Sequence, residues 1–188
     1  MELVSEAIEF AVKAHDGMRR KKSDQPYILH PLEAATIVGT MTSDQEVIAA
    51  AILHDVVEDA DVDIEEIETK FGKRVKELVE SETENKRSHL PSADTWQIRK
   101  EESLEVLRQA EDIGVLMIWL GDKLANMRSL YRDHKQLGDA LWERFNQKNP
   151  AAHAWYYRNI VKLTERLSDT SAWLEFKTLV ELVFEKGE

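Results

Sequence analysis

The residues best suited to chemistry stand where an apolar run ends in acid. Val47-Ile48-Ala49-Ala50-Ala51-Ile52-Leu53 leads directly into His54 and Asp55, and two valines later into Glu58 and Asp59. A run this apolar on every side reads as a buried helix. Carboxylates delivered into such an interior are costly unless a cation or another partner accompanies them. On a continuous helix Glu58 lies four residues beyond His54 and three beyond Asp55, and Asp59 lies four beyond Asp55. The polar groups then share neighbouring faces of one turn and can converge on one point. In the last turn of that helix the carboxylates also meet the negative end of its dipole, at about 0.3–1 kcal/mol per charge. The spacing therefore predicts a compensating cation.

Two further apolar segments end in the same way. Pro26-Tyr27-Ile28-Leu29-His30-Pro31 delivers His30, and Val115-Leu116-Met117-Ile118-Trp119-Leu120-Gly121 delivers Asp122. Separate helices can thus aim two imidazoles, His30 and His54, and two carboxylates, Asp55 and Asp122, into one interior metal site. Such a set leaves coordination positions for water or substrate, the arrangement of catalytic centres. Cysteine is absent, so thiolate sites and disulfides are excluded. Imidazole with carboxylate suits manganese, iron, zinc and other divalent ions alike.

The elements that must position these groups are helical. Leu3, Ala7, Phe10, Ala11 and Ala14 trace one apolar stripe, closed by His15-Asp16-Gly17, where glycine suits a left-handed helix stop. Pro31 is placed to open a helix reaching Met41. Ser43 with Glu46 predicts a capping box for the helix that ends in His54-Asp55, and Asp63 with Glu66 repeats the pattern. Helices are also expected over about 73–82, 96–110 and 113–130, with three more in the remaining third, and the polar stretch 84–95 holding Pro91 reads as a loop. No period-two run predicts a strand. Seven glycines, four prolines and no linker-like stretch in 188 residues indicate one all-α domain, residues 1–188, large enough to bury a substantial core.

Apolar stretches of about seven residues and the acidic start Met1-Glu2-Leu3-Val4-Ser5-Glu6 argue against a membrane span or signal peptide, so a cytoplasmic location is expected. A net charge of −11 argues against nucleic acid as a partner. Arg19-Arg20-Lys21-Lys22, just before His30, is a local exception that can focus potential on a small anion.

An ordered set of motifs carries a resemblance. Ala14-His15-Asp16-Gly17, Pro26-Tyr27-Ile28-Leu29-His30-Pro31, Ala51-Ile52-Leu53-His54-Asp55-Val56-Val57-Glu58-Asp59, Phe71-Gly72 and Asp122-Lys123-Leu124-Ala125-Asn126-Met127-Arg128 resemble the H…HD…D signature of HD-domain metal-dependent phosphohydrolases. More narrowly, they are similar to the hydrolase domain of the RelA/SpoT alarmone enzymes and their small stand-alone relatives of the Mesh type. The resemblance implies a compact bundle of roughly eight to ten helices around one Mn²⁺, and removal of the 3′-pyrophosphate from guanosine tetra- or pentaphosphate. It implies His30, His54, Asp55 and Asp122 as metal ligands, with Glu58 and Asp59 as the acidic pair handling water. It implies Lys21, Lys22, Ser23 and Asn126 as contacts to a nucleotide polyphosphate. With no synthetase-like segment before Glu188, hydrolysis alone is expected of this chain.

Departures from the family pattern bear on substrate choice. Lys21 stands where an arginine is usual and removes a planar, bidentate donor; Asp24-Gln25, Ala60 and Ala125 also differ, and none is a proposed ligand. Another nucleotide or phosphorylated cofactor, and a binding module without turnover, are the competing readings. Several features have plain structural explanations. His15-Asp16 reads as a helix stop, His89, His134 and His153 as solvated surface, and Trp155-Tyr156-Tyr157-Arg158 as core packing of a late helix. Lys86, Arg99 and Lys100 read as phosphate contacts or as a solvated face.

Overall fold

Among the described residues the regular structure comprises ten α-helices: Leu3–Ala14 (α1), Leu29–Val38 (α2), Gln45–Leu53 (α3), Val56–Asp59 (α4), Ile64–Phe71 (α5), Lys73–Glu80 (α6), Ser92–Gln109 (α7), Ile113–Leu137 (α8), Pro150–Leu163 (α9) and Ser171–Phe184 (α10). Two 3₁₀ turns, Gly138–Arg144 and Glu165–Leu167, join the last of them. The computed structural model describes residues 2–20, 24–87 and 89–184. Among the described residues there is no strand, only an isolated bridge between Arg19 and Pro26. The all-α reading holds.

Helix α8 is the axis, packing against α2, α3 and α10 along its length and touching α6 and α7. Leu116, Ile118, Trp119, Leu120, Leu124 and Met127 are almost wholly buried there, each stabilising the fold by about 1.5–3 kcal/mol relative to exposure. Gly121 lets α8 approach α2 closely. A Cβ at that position would stand 2.7 Å from Val38 Cγ2 and 2.9 Å from the Ala34 carbonyl oxygen. This close crossing, one residue before Asp122, brings α8 against the helix that carries His30.

Several boundaries differ from the sequence expectation, each for a local reason. Helix α3 is capped by Asp44 instead of Ser43: its carboxylate accepts from the Glu46 N–H at 3.0 Å and pairs with Arg74 at 2.7 Å. Helix α2 starts at Leu29, leaving Pro31 inside the first turn, where its missing N–H is not needed. Helix α6 stops at Glu80, and α7 starts at Ser92, because Pro91 in extended backbone already sets up its first turn. Helix α8 runs on to Leu137 and stops only at Gly138, whose φ is +54°. Beyond it lie two α-helices and 3₁₀ turns where three helices were expected.

The consequential difference is at the His-Asp pair. Helix α3 ends at Leu53, Asp55 leaves ideal helical geometry at φ −96°, ψ −7°, and a separate four-residue helix begins. Glu58 and Asp59 therefore do not load the negative end of the α3 dipole, and the penalty inferred for a continuous helix is avoided. The apolar pattern continues through Val56 and Val57, which hides the break in the sequence.

Gly121→Ala is expected to lower stability by about 1–3 kcal/mol through overpacking at the α2–α8 crossing. Gly39→Ala, whose nearest neighbour would be at an ordinary 3.4 Å, should be close to neutral. Chemical denaturation of both variants checks this; a wild-type midpoint for Gly121→Ala would contradict the close crossing.

Candidate metal centre and active site

His30 in the first turn of α2, His54 and Asp55 at the α3–α4 break, and Asp122 in the middle of α8 converge on one buried point. His30 Nε2 lies 2.9 Å from Asp122 Oδ1 and 3.5 Å from Asp55 Oδ2. His54 Nε2 lies 3.2 Å from Asp55 Oδ2 and 3.6 Å from Asp122 Oδ1. His30, His54 and Asp122 offer ligand atoms within 4.8 Å of one another. The backbone sets the tautomer of His54, whose Nδ1 donates to the Ala51 carbonyl at 2.8 Å. Its Nε2 is left to face the site, buried and without a hydrogen-bond partner. An orphaned buried polar atom costs about 1–3 kcal/mol, and a cation between two imidazoles and two carboxylates removes that cost. The residues fit a divalent metal ion.

The electrostatics favour a cation as well. Burial alone would raise the pKa of Asp55, but the neighbouring His54 and His30 outweigh it and hold the carboxyl well below its usual range. Burial likewise opposes ionisation of Asp122, and the Lys123 ammonium overcomes it. For His54 burial lowers the pKa while Asp55 and Asp122 together lift it above the ordinary imidazole value, the same pull that would draw a cation to Nε2 in place of a proton. Asp122 is further held by the Asn126 amide, which donates to Oδ1 at 2.7 Å.

Asp59 lines the cleft above this point, and Glu58 precedes it on α4. The Tyr27 hydroxyl sits 2.7 Å from Asp59 Oδ2 and 2.8 Å from Asp55 Oδ2. Lys86 Nζ donates to Asp59 Oδ1 at 2.5 Å and to the Glu58 carbonyl at 2.7 Å. The Glu84 N–H donates to Glu58 Oε2 at 3.2 Å. Burial pushes the Glu58 carboxyl up, against the pull of Lys86. Burial also pushes the Tyr27 phenol far above its usual value, with the charges of Asp55 and Asp59 adding to it, so it remains a donor.

Behind the metal point lies an ionic network that the sequence reading missed. Lys123 Nζ bridges Asp122 Oδ2 and, at 3.3 Å, Glu82 Oε2, with its ammonium 4.7 Å from the Trp119 ring centre. Glu84 is held by Lys100 at 2.6 Å, Ser103 at 2.9 Å and Arg99 at 3.0 Å. Arg99 and Lys100 are therefore not a solvated face but partners of Glu84, and Lys86 braces the acidic pair. No spacing rule links residues 82–86 to α7 and α8; only Lys123, beside Asp122 in a quoted motif, and Tyr27, within another, carried a local signal.

A cleft of about 470 Å³ opens above the site, lined by Arg19, Arg20, Tyr27, Asp59, Asn126 and Tyr157 among others, a volume in the range of small-molecule sites. Arg20 donates to Asn126 Oδ1 at 3.2 Å and lies 5.7 Å from the Tyr27 ring centre. Asn126 is thus in the cleft as expected, whereas Lys21, Lys22 and Ser23 lie outside the described residues. A second hollow of about 580 Å³, lined by Glu6, Phe10, Lys13 and Lys70 among others, contains none of these groups. His15 is buried, its Nδ1 against the Ala11 carbonyl at 2.9 Å and its ring stacked on Tyr27. His153 is not on the surface: it is buried against the rings of Trp96 from α7 and of Trp142 and Phe145 from the turn before α9. Tyr156 packs in the core as expected.

Glu82 provides a pH test. Burial pushes its carboxyl from 4.5 up to about 8, against the pull of Lys123. A carboxyl raised on folding favours the folded state in its protonated form, so its contribution is full below about pH 4.5 and is lost as pH rises through about 8. Glu82→Gln stays neutral and escapes that loss. Wild type should lose unfolding free energy relative to Glu82→Gln as pH rises from about 5 to about 9; parallel profiles would show that Glu82 is ionised throughout.

Residues 7–148 match the family model for the HD domain. The guanosine-3′,5′-bis(diphosphate) 3′-pyrophosphohydrolase of Aquifex aeolicus is 38% identical over 163 residues, covering 84% of this chain and 23% of that protein. The GTP pyrophosphokinase rsh of Brucella ovis is 38% identical over 137 residues, 72% of this chain and 18% of that protein. The chain spans less than a quarter of the length of these two relatives. Among solved structures, a metazoan ortholog of SpoT that hydrolyzes ppGpp superposes with a TM-score of 0.76 at 25% identity, over 97% of this chain and 96% of that one. A Listeria monocytogenes EGD-e protein superposes with a TM-score of 0.72 at 29% identity, over 84% and 99%. With three quarters of its length under the family model and its His and Asp side chains gathered on one point, the chain belongs to the HD-domain family.

Proposed function

We propose that this chain is a manganese-dependent phosphohydrolase that removes the 3′-pyrophosphate from guanosine tetra- or pentaphosphate, with His30, His54, Asp55 and Asp122 as the metal ligands. The observation that carries the metal reading is the buried, partnerless Nε2 of His54, aimed at the point where the other three groups meet. The substrate reading is supported by the relatives, one named for this reaction and another described as hydrolyzing ppGpp.

When bound, a divalent ion lowers the pKa of a coordinated water and polarises a phosphoryl oxygen. The chain's own residues supply the rest. Removing pyrophosphate breaks the bond between the ribose 3′ oxygen and its phosphorus, while a water oxygen bonds to that phosphorus and gives up a proton. Glu58, with a carboxyl raised by burial and held by the Glu84 N–H, is suited to take that proton. Asp59, fixed between Tyr27 and Lys86, orients the water. The leaving 3′ oxygen gains a proton from solvent admitted by the open cleft. Arg19 and Arg20 on the cleft wall place positive charge where phosphates enter, and Asn126 ties that wall to Asp122. Lys21, Lys22 and Ser23 extend the same basic segment in sequence, and we assign them to substrate binding with Asn126.

Metal analysis and a product assay over a nucleotide panel test these assignments. Asp55→Ala is expected to lose both bound metal and turnover. Glu58→Gln should keep metal near wild-type content while kcat falls by about 10²–10⁴, the usual worth of a positioned acid or base. Active, metal-free Asp55→Ala protein would sink the site. Metal-loaded wild type that releases pyrophosphate from other nucleotides and not from ppGpp would sink the substrate.

A further inference from the structure

Tyr27 joins the substrate segment, the metal point and the acidic pair. Its backbone N–H is bonded to the Met18 carbonyl at 3.0 Å, tying it to the strip that carries Arg19 and Arg20. Its ring is stacked on His15 at 5.1 Å between ring centres and meets the ring of His30 edge-on at 6.1 Å. Its hydroxyl reaches two carboxylates on the same side, Asp55 at 2.8 Å and Asp59 at 2.7 Å. A phenol has one hydrogen, so it can satisfy only one of these acceptors at a time. Asp55 has the imidazoles of His54 and His30 beside it at 3.2 and 3.5 Å, whereas the other donor on Asp59 is Lys86. The two acceptors therefore respond differently to a cation: it neutralises Asp55 and leaves Asp59 in need of the hydrogen.

Building on the metal site proposed above, we infer that Tyr27 is a positioning residue that passes its single hydroxyl hydrogen from a contest between Asp55 and Asp59 to Asp59 alone when the metal binds. The acid that orients water is thereby locked only in the loaded site. Metal occupancy and Asp59 geometry become one linked equilibrium. In the metal-free protein the hydroxyl competes with the cation for Asp55, so the hydroxyl that prepares Asp59 in the loaded site opposes metal entry in the empty one.

The linkage makes a prediction that a purely structural tyrosine does not. Removing the hydroxyl should tighten metal binding while impairing turnover. In calorimetric titrations with Mn²⁺ alone, Tyr27→Phe is expected to lower Kd at least threefold, and an unchanged or raised Kd overturns the proposal. Asp59→Asn leaves Asp55 as the one charged acceptor and should raise Kd. That rise should shrink in the Tyr27→Phe/Asp59→Asn double variant; an equal rise in both backgrounds reduces the effect to lost charge and also overturns it. If the Phe variant does not fold, Asp59→Asn alone decides, since a Kd unchanged or lowered contradicts the competition. With ppGpp, Tyr27→Phe should lose at least tenfold in kcat with KM moved less than threefold, and a kcat within threefold of wild type removes the role for Asp59. Should wild type hydrolyse no nucleotide, the substrate reading fails and the Mn²⁺ titrations decide this inference by themselves.

Discussion

The structure is governed by two anionic carboxylates, the buried Asp122 and the largely buried Asp55, set between two imidazoles in a helical core. Removing charges from water costs several kcal/mol per ion even after relaxation, so every neighbouring element is arranged around compensation. Lys123 bridges Asp122 and Glu82, Tyr27 donates at Asp55, and Asn126 donates to Asp122. Around them Glu58, Asp59, Glu82, Glu84 and Asp122 pair with Lys86, Arg99, Lys100 and Lys123. Glu82 lessens the remaining excess of negative charge by taking a proton more readily than a free carboxyl does. What is left is a site preorganised for a small cation.

That constraint explains which elements are rigid. Each proposed ligand comes from a helix or a helix end buried on the α2, α3 and α8 faces, where packing allows little movement, and Gly121 sets the distance between two of those helices. Groups that face the cleft are held by polar contacts instead: Arg20 by Asn126, and Asp59 by Tyr27 and Lys86. The proposed metal ligands thereby sit in the core, while the cleft residues can vary without disturbing it.

How much of this was legible in the sequence follows from the same division. His30, His54, Asp55 and Asp122 could be read because each ends an apolar run, and burial makes an ionisable group conspicuous. Glu58 and Asp59 were readable by spacing, but the break that puts them on α4 was not, since Val56 and Val57 continue the apolar pattern through it. Glu82, Lys86 and Glu84 were unreadable as partners because their contacts bridge 15 to 41 residues of chain and depend on how distant helices pack. His153 misled for the same reason: its own neighbours are polar or small, and the rings that bury it come from α7 and the turn after α8. Local pattern reports what a residue is next to in sequence, and these residues are defined by what is next to them in space.

The most direct measurement of the central claim is anomalous scattering from crystals of the protein loaded with Mn²⁺. The expected result is one strong peak bonded to His30, His54, Asp55 and Asp122, with His54 Nε2 facing it. A peak elsewhere with none at this point, or no ordered metal at saturating Mn²⁺, would contradict the claim that these buried carboxylates are arranged for a cation.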